Sequence, residues 1–93
     1  MKLSLVVPCY NEAENVALFQ EETIKAFQGC GYSYEIVFVD DGSQDATLHQ
    51  LRKIYSNGKC PVKVVSFSRN FGKESALYAG LQHASGDYVS LID

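Results

Sequence analysis

The sequence has no long hydrophobic run, no cluster of basic residues and no paired cysteine motif, and each absence removes a class of protein. No apolar stretch approaches the ~20 residues needed to cross a bilayer. After Lys2 the N-terminus passes straight into a short apolar run, without the layout of a signal peptide. A soluble, cytoplasmic chain is therefore the expectation. Lys and Arg number only 8 against 11 acidic residues, for a net charge of −3. With no basic patch among them, nucleic acid is not an expected partner. The three cysteines, Cys9, Cys30 and Cys60, are odd in number and form no Cys-x-x-Cys pair or Cys/His cluster. That argues against a zinc site and a disulfide framework, and for reduced thiols, with Cys9 read as a buried, inert one. The glycines match neither the dinucleotide fingerprint nor the phosphate loop of nucleoside triphosphatases. No internal repeat, low-complexity segment or linker is visible.

What is present is an ordinary globular composition, 46% hydrophobic and 20% charged over 93 residues. That fits one small domain, which buries only about 60–65% of its unfolded surface. Residues 3–7 form a short β-branched run that reads as a buried strand ended by Pro8. Residues 13–28 carry Val16, Phe19, Thr23, Ile24 and Phe27 at helical spacing, with Asn11 and Glu14 as a candidate capping box and Gly29 and Gly31 as the stop. Residues 35–39 predict a second strand. A second helix, capped by Ser43 or Asp45, runs to about residue 55 with Leu48, Leu51, Ile54 and Tyr55 on its apolar side, and Asn57-Gly58 breaks it. A third strand is expected over 62–67, a third helix with Leu77, Tyr78 and Leu81 over 74–84, and a fourth strand over 88–92. Apolar strands alternating with amphipathic helices imply α/β architecture, a parallel sheet covered on both faces. Right-handed crossovers favour the strand order 3-2-1-4, a Rossmann-like three-layer sheet.

Ligands of open α/β sheets sit outside the carboxyl ends of the strands. Polar residues converge there: Pro8, Tyr10, Asn11 and Glu12 after the first strand, Asp40 and Asp41 after the second, Arg69, Asn70 and Lys73 after the third, and Asp93 after the fourth. Asp40-Asp41-Gly42-Ser43 caps a helix on one reading. Capping accounts for one carboxylate, leaving the second to accept hydrogen bonds from a ribose or base. Tyr10 packs on a helix or stacks on a nucleobase. Arg69 and Lys73 are solvated charges or a pair of diphosphate contacts; a Lys at a helix start opposes the macrodipole unless an anion sits there too. His49 and His83 read as surface or packing residues.

The segments Leu5-Val6-Val7-Pro8-Cys9-Tyr10-Asn11-Glu12, Val39-Asp40-Asp41-Gly42-Ser43-Gln44-Asp45, Ser68-Arg69-Asn70-Phe71-Gly72-Lys73-Glu74, Ala79-Gly80-Leu81 and Ser85-Gly86-Asp87-Tyr88-Val89 through Leu91-Ile92-Asp93 resemble family-2 inverting glycosyltransferases of the GT-A fold. Within that family they are most similar to bacterial polyprenyl-phosphate (bactoprenol) glucosyltransferases and dolichol-phosphate mannose synthase relatives. The resemblance spans essentially the whole chain, and its loop from Arg69 to Lys73 is the more discriminating part. It implies that Pro8, Tyr10 and Glu12 line a base and ribose pocket, that Asp41 and Asp40 contact base or ribose, and that Lys73 approaches the diphosphate. It also implies that Asp93 is the first carboxylate of an Asp-x-Asp motif holding Mg²⁺ or Mn²⁺, a cation that few carboxylates plus substrate phosphates suffice to bind.

The donor is then a UDP- or GDP-hexose and the acceptor a lipid phosphate, at the cytoplasmic face of a bacterial inner membrane. The last residue falls where the motif would continue, so residues 1–93 are expected to be the nucleotide-sugar-binding half of a longer enzyme. Such a fragment would be inactive alone and prone to pair with another copy along a bare sheet edge. Two other readings remain open: a non-catalytic Rossmann-like binding module, and a nucleotidyltransferase. The latter would carry a Gly/Arg/Lys-rich loop where this sequence has Pro8-Cys9-Tyr10-Asn11-Glu12.

Overall fold

The computed structural model describes residues 1–92. Its elements follow in the order β1 (Lys2–Cys9), α1 (Val16–Phe27), β2 (Ser33–Asp40), α2 (Thr47–Asn57), β3 (Val62–Ser66), α3 (Lys73–His83) and β4 (Tyr88–Leu91). All strands are parallel, in the order β3-β2-β1-β4, as the alternation of apolar strands and amphipathic helices requires.

Side chains alternate across a strand, and β1 and β2 divide accordingly. Leu5, Val7, Cys9, Ile36 and Phe38 pack with Val16 of α1 and with Leu51 and Ile54 of α2. Val6, Val37 and Val39 pack with Ala76 of α3 on the opposite face. Each such buried aliphatic side chain contributes about 1.5–3 kcal/mol. The chain therefore winds outward from β1 to β3 under α1 and α2, then returns beneath the other face to lay β4 on the far side of β1. The direction of winding reverses between β1 and β4.

The structure corrects several boundaries. Pro8 does not end β1: it lies opposite Val39. Residues of a parallel strand bond alternately to either side. The Ile92 amide donates to the Val6 carbonyl on the β4 side and the Asp41 amide donates to the Cys9 carbonyl on the β2 side. The nitrogen of Pro8 thus faces the β4 side, beyond the last paired register, Val6 with Leu91. Proline has no amide to donate on that side, where the pairing of β1 with β4 among the described residues has ended, so it is tolerated.

Helix α1 starts at Val16, after a turn in which the Glu12 carbonyl accepts from the Asn15 and Val16 amides. Asn11 does not cap it; this residue stands at φ 53° and its side chain bonds to another loop. Helix α2 starts at Thr47, whose amide donates to the Asp45 carboxylate at 2.9 Å. It stops at Gly58, left-handed at φ 66°, as Asn57-Gly58 predicts.

In α3 the buried positions are Ala76 and Gly80, while Tyr78 and Leu81 are exposed. A Cβ on Gly80 would lie 2.2 Å from Val6 Cγ1. The helix backbone rests on the sheet, and only a residue without a side chain fits. Tyr55, expected on the apolar side of α2, is likewise exposed.

Candidate functional site

Three loops meet at the carboxyl edge of the sheet and are fastened to one another by their own polar groups. The Asn11 amide donates to Ser43 Oγ (2.9 Å), the Gln44 amide to Asn11 Oδ1 (2.9 Å) and the Glu12 amide to Thr47 Oγ1 (2.8 Å). These bonds tie the loop after β1 to the loop after β2. Asp45, which accepts from the Thr47 hydroxyl, the Thr47 amide and the Ala13 amide, joins the same clasp. The Thr47 hydroxyl is the main reason its carboxyl stays below the ordinary aspartate range.

The loop after β2 is tied in turn to the loop after β3. Asp41 Oδ1 accepts from the Phe71 amide (2.8 Å), and Asp41 Oδ2 from the Gly72 amide (3.1 Å) and Asn70 Nδ2 (3.2 Å). Gly42 makes this approach possible: it stands at φ 67°, and a Cβ there would lie 2.1 Å from the Arg69 carbonyl carbon.

Beside this rim, where the winding reverses next to β1, a cleft of about 360 Å³ opens, lined by Val7, Pro8, Cys9, Tyr10, Glu12, Asn15, Val16, Phe19, Phe38, Asp41, Lys73 and Ile92. Reversal points of open α/β sheets are where ligands bind. The floor is apolar, with the Phe19 and Phe38 rings edge to face at 6.0 Å. Tyr10 is half-exposed at the mouth. Glu12 and Asp41 bring negative charge and Lys73, first residue of α3, brings positive charge. Glu12 is oriented by Asn15 Nδ2, which donates to it at 2.7 Å.

Cys9 is buried among these groups. Burial pushes its thiol up, helped by the Asp40 and Glu12 carboxylates, to about 12. It is a packed thiol rather than a nucleophile. All three cysteines are free.

Of the site residues named from sequence, Pro8, Tyr10, Glu12, Asp41 and Lys73 come together in the lining of this cleft, and Asn11, Asp40 and Arg69 do not. Asn11 serves the clasp described above. Asp40 is buried; its carboxylate accepts from the Ser43 amide (3.2 Å) and its carbonyl from the Phe67 amide (2.9 Å). The Arg69 guanidinium lies over the Phe71 ring, 4.6 Å from its centre, a cation–π contact on the exposed loop. Each of the two adjacent carboxylates has partners within the chain. Asp40 serves its own turn, while Asp41 is only 4% exposed and holds the neighbouring loop.

Asp93 lies outside the described residues, and among those residues no group of three or more His, Cys, Asp or Glu side chains is placed to hold a metal ion. The described residues alone do not make a Mg²⁺ or Mn²⁺ site. Sequence reasoning missed Asn15 and the apolar floor. Asn15 carried a signal, three residues after Glu12 at the approach to a helix. Phe19, Phe38 and Ile92 carried none beyond hydrophobicity.

A three-layer parallel sheet with a mixed apolar and charged cleft at its reversal point defines a Rossmann-like α/β unit, with a candidate ligand site where such sheets carry theirs. Residues 4–93 match the model of glycosyl transferase family 2, and the chain belongs to that family. It is 50% identical over 94 residues to a bactoprenol glucosyl transferase of Shigella phage SfV, covering 100% of this chain and 30% of that protein. It is 40% identical over 91 residues to an undecaprenyl-phosphate 4-deoxy-4-formamido-L-arabinose transferase of Edwardsiella ictaluri, covering 98% of this chain and 28% of that one. A crystal structure of S. aureus TarS in complex with UDP superposes with a TM-score of 0.82 at 33% identity, over 100% of this chain and 27% of that one. A mannosyltransferase from Pyrobaculum calidifontis in complex with GDP-mannose and Mn²⁺ gives 0.73 at 30% identity, over 94% and 25%. The fold is thus that of GT-A glycosyltransferases. The chain spans under a third of the length of these relatives.

Proposed function

We propose that residues 1–93 form the nucleotide-sugar-binding half of a glycosyltransferase catalytic domain. The whole protein would move a hexose from a UDP- or GDP-sugar to a polyprenyl phosphate at the cytoplasmic face of a bacterial inner membrane. The observation that carries this reading is the composition of the cleft at the reversal point. Its apolar floor and half-exposed Tyr10 suit a flat base, Glu12 and Asp41 suit hydroxyl and N–H donors, and Lys73 at the start of α3 suits an anion.

Pro8 shapes the wall, and Asn11 and Asp40 support the rim. Arg69, on the loop before Lys73, would be a further contact for the diphosphate. Asp93 would supply a carboxylate toward a Mg²⁺ or Mn²⁺ ion, whose contribution when bound is to neutralise the leaving diphosphate. In the group transfer an oxygen of the acceptor phosphate, already ionised, forms the new bond to the anomeric carbon as the bond to the nucleoside diphosphate breaks. The cleft residues of this chain hold the leaving group. The lipid acceptor is supported by the bactoprenol glucosyl transferase relative. The UDP of one structural neighbour and the GDP-mannose of another support the donor class. The comparisons do not favour a nucleotidyltransferase or a non-catalytic module.

Titration of the chain with UDP-glucose and GDP-mannose, with and without Mn²⁺ and read by amide chemical shifts, tests the donor site. Saturable shifts at Tyr10, Glu12 and Lys73 are expected, and Tyr10→Ala or Lys73→Ala should each cost about 1–3 kcal/mol of binding. Absence of saturable binding, or binding indifferent to both variants, rejects the reading.

A further inference from the structure

We propose that Asp41 is a positioning residue that couples the nucleoside end of the cleft to its diphosphate end. The proposal rests on the donor-site reading above and adds a role in which Asp41 acts through the loop that leads into Lys73, the first residue of α3.

Asp41 is anchored to the sheet, because its amide donates to the Cys9 carbonyl at 2.8 Å. From there its carboxylate takes both successive amides before α3, Phe71 at 2.8 Å and Gly72 at 3.1 Å, together with Asn70 Nδ2 at 3.2 Å. Asn70 Nδ2 also donates to the Asp41 carbonyl at 3.2 Å. Helix α3 has no side-chain cap of its own: its N-cap position is Gly72, at φ 103°. Its first turn is closed by the Ala76 amide donating to the Gly72 carbonyl at 3.1 Å.

The first four amides of a helix start, here Gly72 to Ser75, lack an intrahelical acceptor. The Gly72 amide finds one in a carboxylate from the end of another strand, whose negative charge suits the positive end of the helix dipole. Charge-assisted bonds to a buried carboxylate are the strong kind. A carboxylate has roughly four acceptor directions. The three bonds from the loop leave one, on Oδ1, for a nucleoside donor in the cleft that Asp41 also lines. One side chain therefore meets the nucleoside end and sets where α3 begins, and with it where Lys73 stands. A nucleoside contact alone would require none of the bonds to residues 70–72.

The test compares the chain with Asp41→Asn and Asn70→Ala, using amide hydrogen exchange without ligand and titrations of UDP and inorganic pyrophosphate at one ionic strength. Asp41→Asn turns one acceptor oxygen into a donor facing the Gly72 amide. Coupling predicts exchange at Phe71 and Gly72 faster by about tenfold, and affinity for UDP and pyrophosphate reduced by a similar factor of about ten. Asn70→Ala, outside the cleft lining, should move the same amides and the pyrophosphate affinity in the same direction by less. If Asp41→Asn weakens UDP but leaves pyrophosphate and both exchange rates unchanged, Asp41 is only a nucleoside contact and the proposal is overturned. A parent chain that binds neither probe overturns the donor-site reading and the coupling with it, while the exchange rates still report whether Asp41 holds the loop. Should Asp41→Asn fail to fold, Asn70→Ala decides the proposal: unchanged amide exchange and unchanged pyrophosphate affinity overturn it.

Discussion

Gly80 of α3 packs against β1 with no room for a Cβ beside Val6. Gly80→Ala should therefore destabilise the chain by about 1–3 kcal/mol, the usual cost of overpacking a filled core, as a lower urea midpoint with an unchanged slope would show. An unchanged midpoint would mean that the helix can lift without loss. The feature was half-legible in the sequence. Leu77, Tyr78 and Leu81 promise an apolar face, yet the chain buries the small residues Ala76 and Gly80 four positions apart and exposes Tyr78 and Leu81. Hydrophobic spacing identifies the helix, but how close the helix sits depends on what the sheet presents beneath it. Cys9 and Cys30 differ for a similar reason. Burial and two carboxylates keep the Cys9 thiol protonated, whereas Cys30 is exposed. Alkylation of the native chain at neutral pH should label Cys30 and spare Cys9 until urea unfolds the sheet; rapid labelling of Cys9 would show that the cleft opens.

At the scale of elements, the amino end of the sheet depends on one buried charge. Glu35 is 2% exposed and accepts from Ser4 Oγ (2.6 Å), the Ser85 amide (2.7 Å) and Ser85 Oγ (3.1 Å), with Lys63 Nζ at 3.2 Å. These bonds draw β1, β2, β3 and the turn before β4 together. Burial pushes the Glu35 carboxyl up, but the Ser4, Ser85 and Lys63 bonds together outweigh it and bring it down from 4.5 to about 2. A depressed carboxyl contributes stability that is present above its unfolded value and lost as the pH falls through its folded value. Stability should thus fall between about pH 4.5 and 2 by on the order of 3 kcal/mol at most. Glu35→Gln should flatten that fall while lowering stability at neutral pH, which urea titrations across this window would measure. The Glu35 residue was legible as the start of a strand. Its burial was not, because its partners come from residues 4, 63 and 85.

The edges of the sheet set how the whole molecule meets others. β3, at one edge, carries Lys63 and follows Pro61, two devices that discourage strand addition. β4, at the other, is uncharged, with Tyr88 61% and Leu91 48% exposed. The chain studied alone is accordingly expected to self-associate through β4. Sedimentation should show a concentration-dependent dimer that Val89→Lys abolishes; a monomer at every concentration would reject this. No helix among the described residues is long and apolar enough to cross a membrane.

The sequence by itself determined the class of fold, the order of its strands and the edge at which polar residues gather, because periodicity, breakers and handedness are local or nearly local rules. Tertiary structure decided which of those polar residues share a cleft. Tyr10, Glu12, Asp41 and Lys73 do, while Asn11 and Asp40 turn to fastening loops and Arg69 rests on Phe71. Only the tertiary structure also showed that Asp41 is engaged by residues 29 to 31 positions away. A carboxylate takes whichever donors the fold brings to it, and which donors those are depends on the packing of distant loops, which no local pattern encodes.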